Sequence, residues 1–290
     1  MISKNNANSL QPRISLLAVG DFDREEFLPA IAALCQHADV ARAASARQAL
    51  FMLRSEGLTP HLIVLAQSWP GQFELAEVDR LRQVAPLSRV WELAGTLCEG
   101  AMRSGKPWPA VLRCYSHQGA VRFEHQFDRL AKALSVDWDF PVTAGEEERL
   151  IARAAEPVER AAGLVVIVAE DRAWSSAIVD AARQRGYASV VLRPGVLRGD
   201  CGFVATMPSI EGATAVLWDT TSAQLECPRV IGRLRGLVGD TPIIATVGFP
   251  RPEAIRAALA NGVAQVVSKP LDVDELFFPI RQQAGAVVGK

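Results

Sequence analysis

The sequence predicts an α/β protein built from two doubly wound, five-stranded parallel sheets in tandem. Short apolar runs rich in β-branched residues alternate with stretches of helical periodicity along most of the chain. The alternation is gone through twice, over residues 14–134 and 164–290, and 290 residues suffice for two domains of ordinary size. The clearest unit lies at 241–276, where strand, helix, strand and helix follow one another with a Lys-Pro step after the second strand.

In the first half, Ile14 to Val19 reads as a buried strand, followed by Gly20-Asp21-Phe22-Asp23. Glu25 to Leu34 places Phe27, Ile31 and Leu34 on one helical face. Val40 to Ala44 is a weaker strand. Ser45 is placed to cap a helix holding Leu50, Met52 and Leu53, which Gly57 ends. His61 to Leu65 and Arg89 to Ala94 are the third and fourth strands, with a helix from Glu74 to Val84 between them. Val111 to Tyr115 is the fifth. Before it, Gly95 to Pro109 holds Gly100, Gly105 and Pro107, which predicts a shortened helix or a loop. Asp128 to Leu134 reads as the closing helix.

Ser135 to Gly163 reads as a linker with one short charged helix, Glu146 to Ala155. Leu164 to Val168 opens the second sheet, followed by Ala169-Glu170-Asp171, a helix from Trp174 to Arg185 and a strand from Ser189 to Leu192. Arg193 to Glu211, with Pro194, Gly195, Gly199, Gly202 and Pro208, has no helical pattern. Ala213 to Trp218 is the third strand and ends in Asp219. Pro242 to Val247 is the fourth, and a helix from Arg251 to Asn261 is closed by Gly262. Val263 to Val267 leads to Lys269-Pro270. Asp272 is then an N-cap, with Glu275 as its capping-box partner.

Bulk properties exclude several classes. A net charge of −1 gives no electrostatic reason to bind nucleic acid. Cys35, Cys98, Cys114, Cys201 and Cys227 form neither a CxxC pair nor a zinc spacing, and read as reduced thiols of a cytoplasmic protein. No apolar run approaches a membrane span, and Met1 to Arg13 is polar, as in a disordered lead-in rather than a signal.

In a parallel sheet the carboxyl ends of the strands share one edge, where ligands bind. In the second half, Glu170 and Asp171 follow the first strand, Asp219 ends the third and Lys269 the fifth. A Lys there reaches an anion, and the X-Pro bond after it can be cis. These residues, in this order, resemble the receiver domain, the phosphoacceptor module of two-component response regulators, and the fold thereby implied is flavodoxin-like. The resemblance implies Asp219 as phosphoacceptor and Lys269 as a contact to the phosphoryl group. It also implies Glu170, Asp171, Asp219 and the backbone carbonyl of Thr221 as ligands of Mg²⁺.

The second half departs from the family in four places. Counting back from Lys269 without gaps puts Val247 where the family has a Ser or Thr that contacts the phosphoryl group. Thr246 stands one residue early, on the other face unless a bulge intervenes. Val266 occupies the aromatic switch position. Thr220-Thr221-Ser222-Ala223-Gln224 lacks the Met-Pro-Gly pattern. The acidic pair is either Ala169-Glu170 or Glu170-Asp171, and a weak Mg²⁺ affinity is expected.

In the first half, Leu65-Ala66-Gln67-Ser68-Trp69-Pro70-Gly71 resembles the receiver pattern Leu-Asp-x-x-Met-Pro-Gly with Ala66 at the acceptor position. Gly20-Asp21 is half an acidic pair, and Arg113-Cys114-Tyr115-Ser116-His117 has no Lys-Pro. This half resembles a receiver without its chemistry. Gly105-Lys106 lacks the upstream glycine of a phosphate-binding loop. Cys98, beside Glu99, has no readable tie to His117 or His125, and these histidines have no metal-ligand spacing. Arg103, Lys106, Trp108 and Arg113 make either a solvated loop anchored by one Trp or a recognition surface.

The resemblance implies a cytoplasmic signalling protein, not an enzyme. Its partner would be a histidine kinase or another signalling protein, with neither nucleic acid nor membrane involved. With no segment after the second receiver, output is expected through protein contact, around Phe277 and Phe278 or at the 103–108 loop. Lacking a hydroxyl at Val247 and a ring at Val266, phosphorylation is expected to change partner binding less than about tenfold, or ~1.4 kcal/mol. The competing reading is a phosphorylation-independent pseudo-receiver that serves as a scaffold. An unrelated doubly wound enzyme ranks last, since no nucleotide loop or triad is visible.

Overall fold

The computed structural model describes residues 13–101, 105, 108–154, 156, 158, 160–195, 210 and 212–288. The expected lead-in at 1–12, Arg103, Lys106, Cys201 and most of the stretch from Arg193 to Glu211 lie outside the described residues. The chain divides into two compact units between Arg149 and Leu150. No helix among the described residues is long and apolar enough to cross a membrane.

In the first unit, five parallel strands are β1 (Ile14–Val19), β2 (Ala38–Ala43), β3 (Leu62–Gln67), β4 (Arg89–Ala94) and β5 (Leu112–Tyr115), in the order β2-β1-β3-β4-β5. The helices are α1 (Leu28–His37), α2 (Ala46–Ser55), α3 (Leu75–Val84) and α4 (Ser116–Ala131). β3 is buried at all six positions, because both faces are covered. One face packs Leu16, Ala18, Trp91 and Leu93 against Phe27 and Leu34 on the α1 side and Phe123 and Phe127 of α4. The other packs Leu17, Val19, Ile63 and Leu65 against α2 and α3. Ser45 caps α2 as expected, accepting the Gln48 N–H. Gly119 sits inside α4, where a Cβ would lie 2.8 Å from Leu93 and 2.9 Å from Ala30. A larger residue there would push α4 off the sheet.

Two expectations need correction. The closing helix begins at Ser116, not Asp128. Its inward face carries Ser116, Gln118, His125, Gln126 and Arg129, all buried, so the apolar period that would reveal it is interrupted. The stretch 135–149, read as linker, falls in the first unit. Val136 and Trp138 enter the first core, and burying an indole contributes ~2 kcal/mol. Between β4 and β5 a 3₁₀ turn, Thr96–Cys98, lies in the stretch where the sequence predicts a shortened helix or a loop. Trp108 packs on the α2–α3 face, edge-on to Phe73. Helix α5 (Glu146–Ala154) spans the division between the units.

The second unit repeats the plan. Its strands are β6 (Leu164–Val168), β7 (Ala188–Leu192), β8 (Ala215–Asp219), β9 (Ile243–Gly248) and β10 (Gln265–Lys269), in the order β10-β9-β8-β6-β7. Its helices are α6 (Arg172–Gln184), α7 (Ser222–Leu225), α8 (Pro228–Val238), α9 (Pro252–Ala260) and α10 (Val273–Val288). Numbered within each unit, both sheets run 2-1-3-4-5, the order of the flavodoxin-like doubly wound fold. Gly262 follows α9 at φ +96°, as a C-terminal cap requires. Asp272 accepts the Asp274 N–H at 2.9 Å and also takes Arg153 of α5 at 2.6 Å. Phe277 and Phe278 are buried, so they offer no contact surface. Phe277 lies under the Arg185 guanidinium and stacks on Tyr187.

Candidate functional site

Strand pleating decides what the second sheet presents at its carboxyl edge. On one face, Val166, Val168, Val216, Trp218, Ala245, Val247 and Val266 pack against α8 and α9. The alternate residues Val165, Ile167, Ala169, Leu217, Ile244 and Val267 face α6 and α10. Asp219, Thr246 and Lys269 continue this second series. Their contacts agree. Asp219 and Thr246 are direct partners across β8 and β9. The Thr246 hydroxyl donates to Asp219 Oδ1 at 3.1 Å, and Lys269 Nζ reaches the same oxygen at 2.5 Å. The Lys269–Pro270 peptide is cis.

Thr246 therefore faces the site without any bulge, and Val247 lies in the opposite core. The gapless count from Lys269 misplaces the hydroxyl by one residue. It runs through a helix and the loop at Phe249, a non-glycine residue at φ +45°, where no pleat checks the register.

The expected metal ligands do not assemble. Asp171 caps α6: its Oδ1 accepts the N–H groups of Ala173 at 2.8 Å and Trp174 at 3.1 Å. That leaves Ala169-Glu170 as the pair. Ala169, beside Asp219 by extension of the Val168–Trp218 register, is buried and has no carboxylate. The Thr221 carbonyl accepts the Leu225 N–H at 2.9 Å, and its hydroxyl caps α7. Both are thereby engaged by that helix. Among the described residues, no group of three or more His, Cys, Asp or Glu side chains is placed to hold a metal ion. Glu170 and Asp219 are the two carboxylates of the expected set that do not cap a helix.

Two residues that the sequence reading passed over belong here. Trp174, in the first turn of α6, lies under the Lys269 ammonium, 5.0 Å from ring centroid to Nζ. Arg193, the first residue after β7, donates from Nη1 to the carbonyls of Ala169 at 3.0 Å and Glu170 at 3.1 Å. Their sequence signal is position alone: one opens a helix and the other ends a strand, both on the ligand edge.

The matching edge of the first unit has no acceptor. Ala66 is fully buried, and a Cβ on Gly20 would stand 2.8 Å from the Ala66 carbonyl. Tyr115 and Ser116 take the places of Lys and Pro. Arg113 is instead bound bidentately to buried Glu92, at 2.6 and 2.7 Å. Cys98 is buried, and burial first, then Glu92, push its thiol up to about 11, which removes the thiolate a nucleophile needs. His117 is pushed down to about 4 by burial.

No protein-family model and no curated protein matches the chain. Solved structures do. A CheY-like response regulator protein from Mesorhizobium loti is 21% identical and covers 42% of this chain and 99% of its own, with a TM-score of 0.32. The receiver domain of a signal transduction histidine kinase from Syntrophus aciditrophicus is 16% identical over 43% of this chain and 92% of its own, with a TM-score of 0.35. The C-terminal part of RcsC from E. coli, a linker region with a phosphoreceiver domain, is 14% identical over 99% of this chain and 98% of its own, with a TM-score of 0.33. On its own topology, the chain is a tandem of two receiver-like, flavodoxin-like folds, with Asp219, Thr246 and Lys269 gathered at the ligand edge of the second.

Proposed function

We propose that the chain is a two-component signalling protein of the response-regulator kind, with Asp219 as the phosphoacceptor and an output carried by protein contact. The observation that supports this is the convergence of Lys269 Nζ and the Thr246 hydroxyl on a single oxygen of Asp219. Both contacts fall on Oδ1, which leaves Oδ2 as the nucleophile. Oδ2 attacks phosphorus of an acyl phosphate, the bond from phosphorus to the acyl oxygen breaks, and the carboxylate leaves with the electron pair. No proton has to move. Lys269 and Thr246 then donate to the phosphoryl oxygens, where charge is greatest.

The partner on this reading is a histidine kinase or another signalling protein in the cytoplasm, and the chain itself is not an enzyme. The test is intact-mass spectrometry of the full chain after incubation with acetyl phosphate. A gain of one phosphoryl group, mapped to Asp219 and lost in Asp219→Asn, is expected. No gain at saturating donor overturns the reading.

One observation favours a second reading. Alanine at 169 leaves one carboxylate fewer than the acidic pair implied by the resemblance, and the Thr221 carbonyl already accepts the Leu225 N–H. A phosphorylation-independent scaffold would keep the fold and tolerate both, and it predicts no mass gain.

A further inference from the structure

The edge of the second sheet is short of carboxylates and carries an additional cation. By extension of the Val168–Leu192 register, Arg193 stands beside Ala169, which stands beside Asp219. All three share the face of Thr246 and Lys269, since Val191 and Ala169 lie in that face's core. Arg193 starts two strand spacings from Asp219, roughly 10 Å between backbones. Its Nη1 has already covered the first of them, since it rests on the Ala169 and Glu170 carbonyls.

The formal charges decide what this means. A site with two carboxylates beside the acceptor and one lysine is neutral only when a divalent cation joins it. At this edge Asp219 and Glu170 carry two formal negative charges and Lys269 and Arg193 two positive ones, and the Asp171 carboxylate is taken up by the N–H groups that open α6. A guanidinium also offers several N–H donors in a fork that fits phosphoryl oxygens.

Resting on the acceptor reading above, we propose that Arg193 takes over the charge of a divalent cation at Asp219, so that phosphoryl uptake at this site is independent of metal. The phosphoryl group enters between Lys269 on one side and Arg193 on the other. Arg193 gives up its two carbonyl contacts to donate to the phosphoryl oxygens, while Lys269 shifts from Oδ1 to the same group. Ala169 makes room on the side where a carboxylate would repel the incoming dianion.

The test uses the full chain with acetyl phosphate, in parallel in excess EDTA and in Mg²⁺, with intact mass as readout. The expected result is uptake at Asp219 within about twofold between the two buffers. Arg193→Ala slows it about tenfold or more, and Arg193→Lys recovers part of the loss. Arg193 is exposed, and equal urea midpoints for the variants separate a charge role from a structural one. A second measurement needs no phosphorylation: Mn²⁺ titration followed by electron paramagnetic resonance. The wild type is expected to show no saturable binding, and Ala169→Asp to gain it.

Uptake that stops in EDTA, saturable Mn²⁺ binding by the wild type, or an Arg193→Ala variant that is unslowed in EDTA would each overturn the metal-free role and leave Asp219 as acceptor. Absence of uptake in both buffers overturns the acceptor reading and this inference with it.

Discussion

Lys269 and Asp219 form the ion pair on which the second site turns, and a double-mutant cycle over Lys269→Ala and Asp219→Ala measures its strength. The two charged atoms are 2.5 Å apart. At that separation the Coulomb attraction runs from ~2 kcal/mol in water to ~7 kcal/mol at an effective dielectric constant of about 20. The side chains are 32% and 14% exposed, so neither limit applies. Exposed pairs contribute ~0.2–1 kcal/mol, and breaking a fully buried pair costs ~3–5 kcal/mol. Intermediate burial places the coupling at about 1.5–2.5 kcal/mol. Lys269→Ala alone costs ~0.5–1 kcal/mol more, because the ammonium also rests on the Trp174 ring. Urea unfolding of the full chain supplies the numbers, read from the transition that Asp219→Ala shifts, since two units need not unfold together. A coupling below about 0.3 kcal/mol would mean that the pair is separated by solvent, and the convergence on Asp219 would then not describe the molecule in solution.

The remaining predictions concern register, proximity and pH. Thr246→Val should cost ~1 kcal/mol for one lost hydrogen bond, and Val247→Thr ~1–3 kcal/mol for a hydroxyl placed in the opposite core; the reverse order in urea melts would return Val247 to the site face. Acetyl phosphate should change the emission of Trp174, which touches Lys269, and leave that of Trp218, which is buried on the other face; Trp174→Phe should abolish the signal and Trp218→Phe should not. His117 is neutral in the folded first unit, with burial lowering its pKa from 6.5 to about 4 although the Glu99 carboxylate lies 3.7 Å away. The unfolded chain takes up the proton first, so this stability is complete above about pH 6.5 and is lost as pH falls toward 4, by ~3 kcal/mol in all and ~2 kcal/mol by about pH 5. His117→Phe should flatten that part of the stability profile, and an unchanged slope between about pH 7 and pH 5 would refute the assignment.

Sheets and helices differed in how far the sequence revealed them, for a physical reason. Strands covered on both faces are continuous apolar runs, and the ten strands among the described residues were all found within two residues or so of their bounds. Helix α4 was found only at its end, because buried polar side chains share its inward face with Val121, Phe123 and Phe127 and interrupt the apolar period. Gln126 accepts the Asp137 N–H, and Arg129 donates to the Ser135 carbonyl. Those two bonds also tie down the stretch that reads as a linker. At the site, Asp219 and Lys269 were legible because each ends an apolar run, and a charge there has few other places to go. Thr246 was not, since its face depends on a register fixed by Asp219 across the sheet rather than by any count along the chain. Asp171 illustrates the same limit: a carboxylate after a strand serves the site or caps the next helix, and the two uses are one residue apart.

The geometry also revises how a signal would leave Asp219. A ligand moves a conformational equilibrium only through contacts that differ between its states. Val266 still has no ring to rotate, but the hydroxyl expected to be missing is present on Thr246 and already touches Asp219. Thr246 and Lys269 sit on the adjacent strands β9 and β10, so a group on Asp219 pulls on two strand ends at once. Against this stands the ground state. The Lys269–Asp219 contact is short, and the incoming group has to replace it before it gains anything. The exchange is close to balanced, because Lys269 keeps a charged partner throughout. What differs between the states is then mainly the Thr246 hydroxyl and whatever Arg193 contributes. One or two charge-assisted hydrogen bonds amount to ~1.5–3 kcal/mol each before the loss of the bonds they replace. A coupling to partner binding of about tenfold, ~1.4 kcal/mol, fits what is left. Thr246→Val should remove much of it without preventing uptake at Asp219. Coupling that survives this substitution undiminished would mean that the signal leaves by another strand.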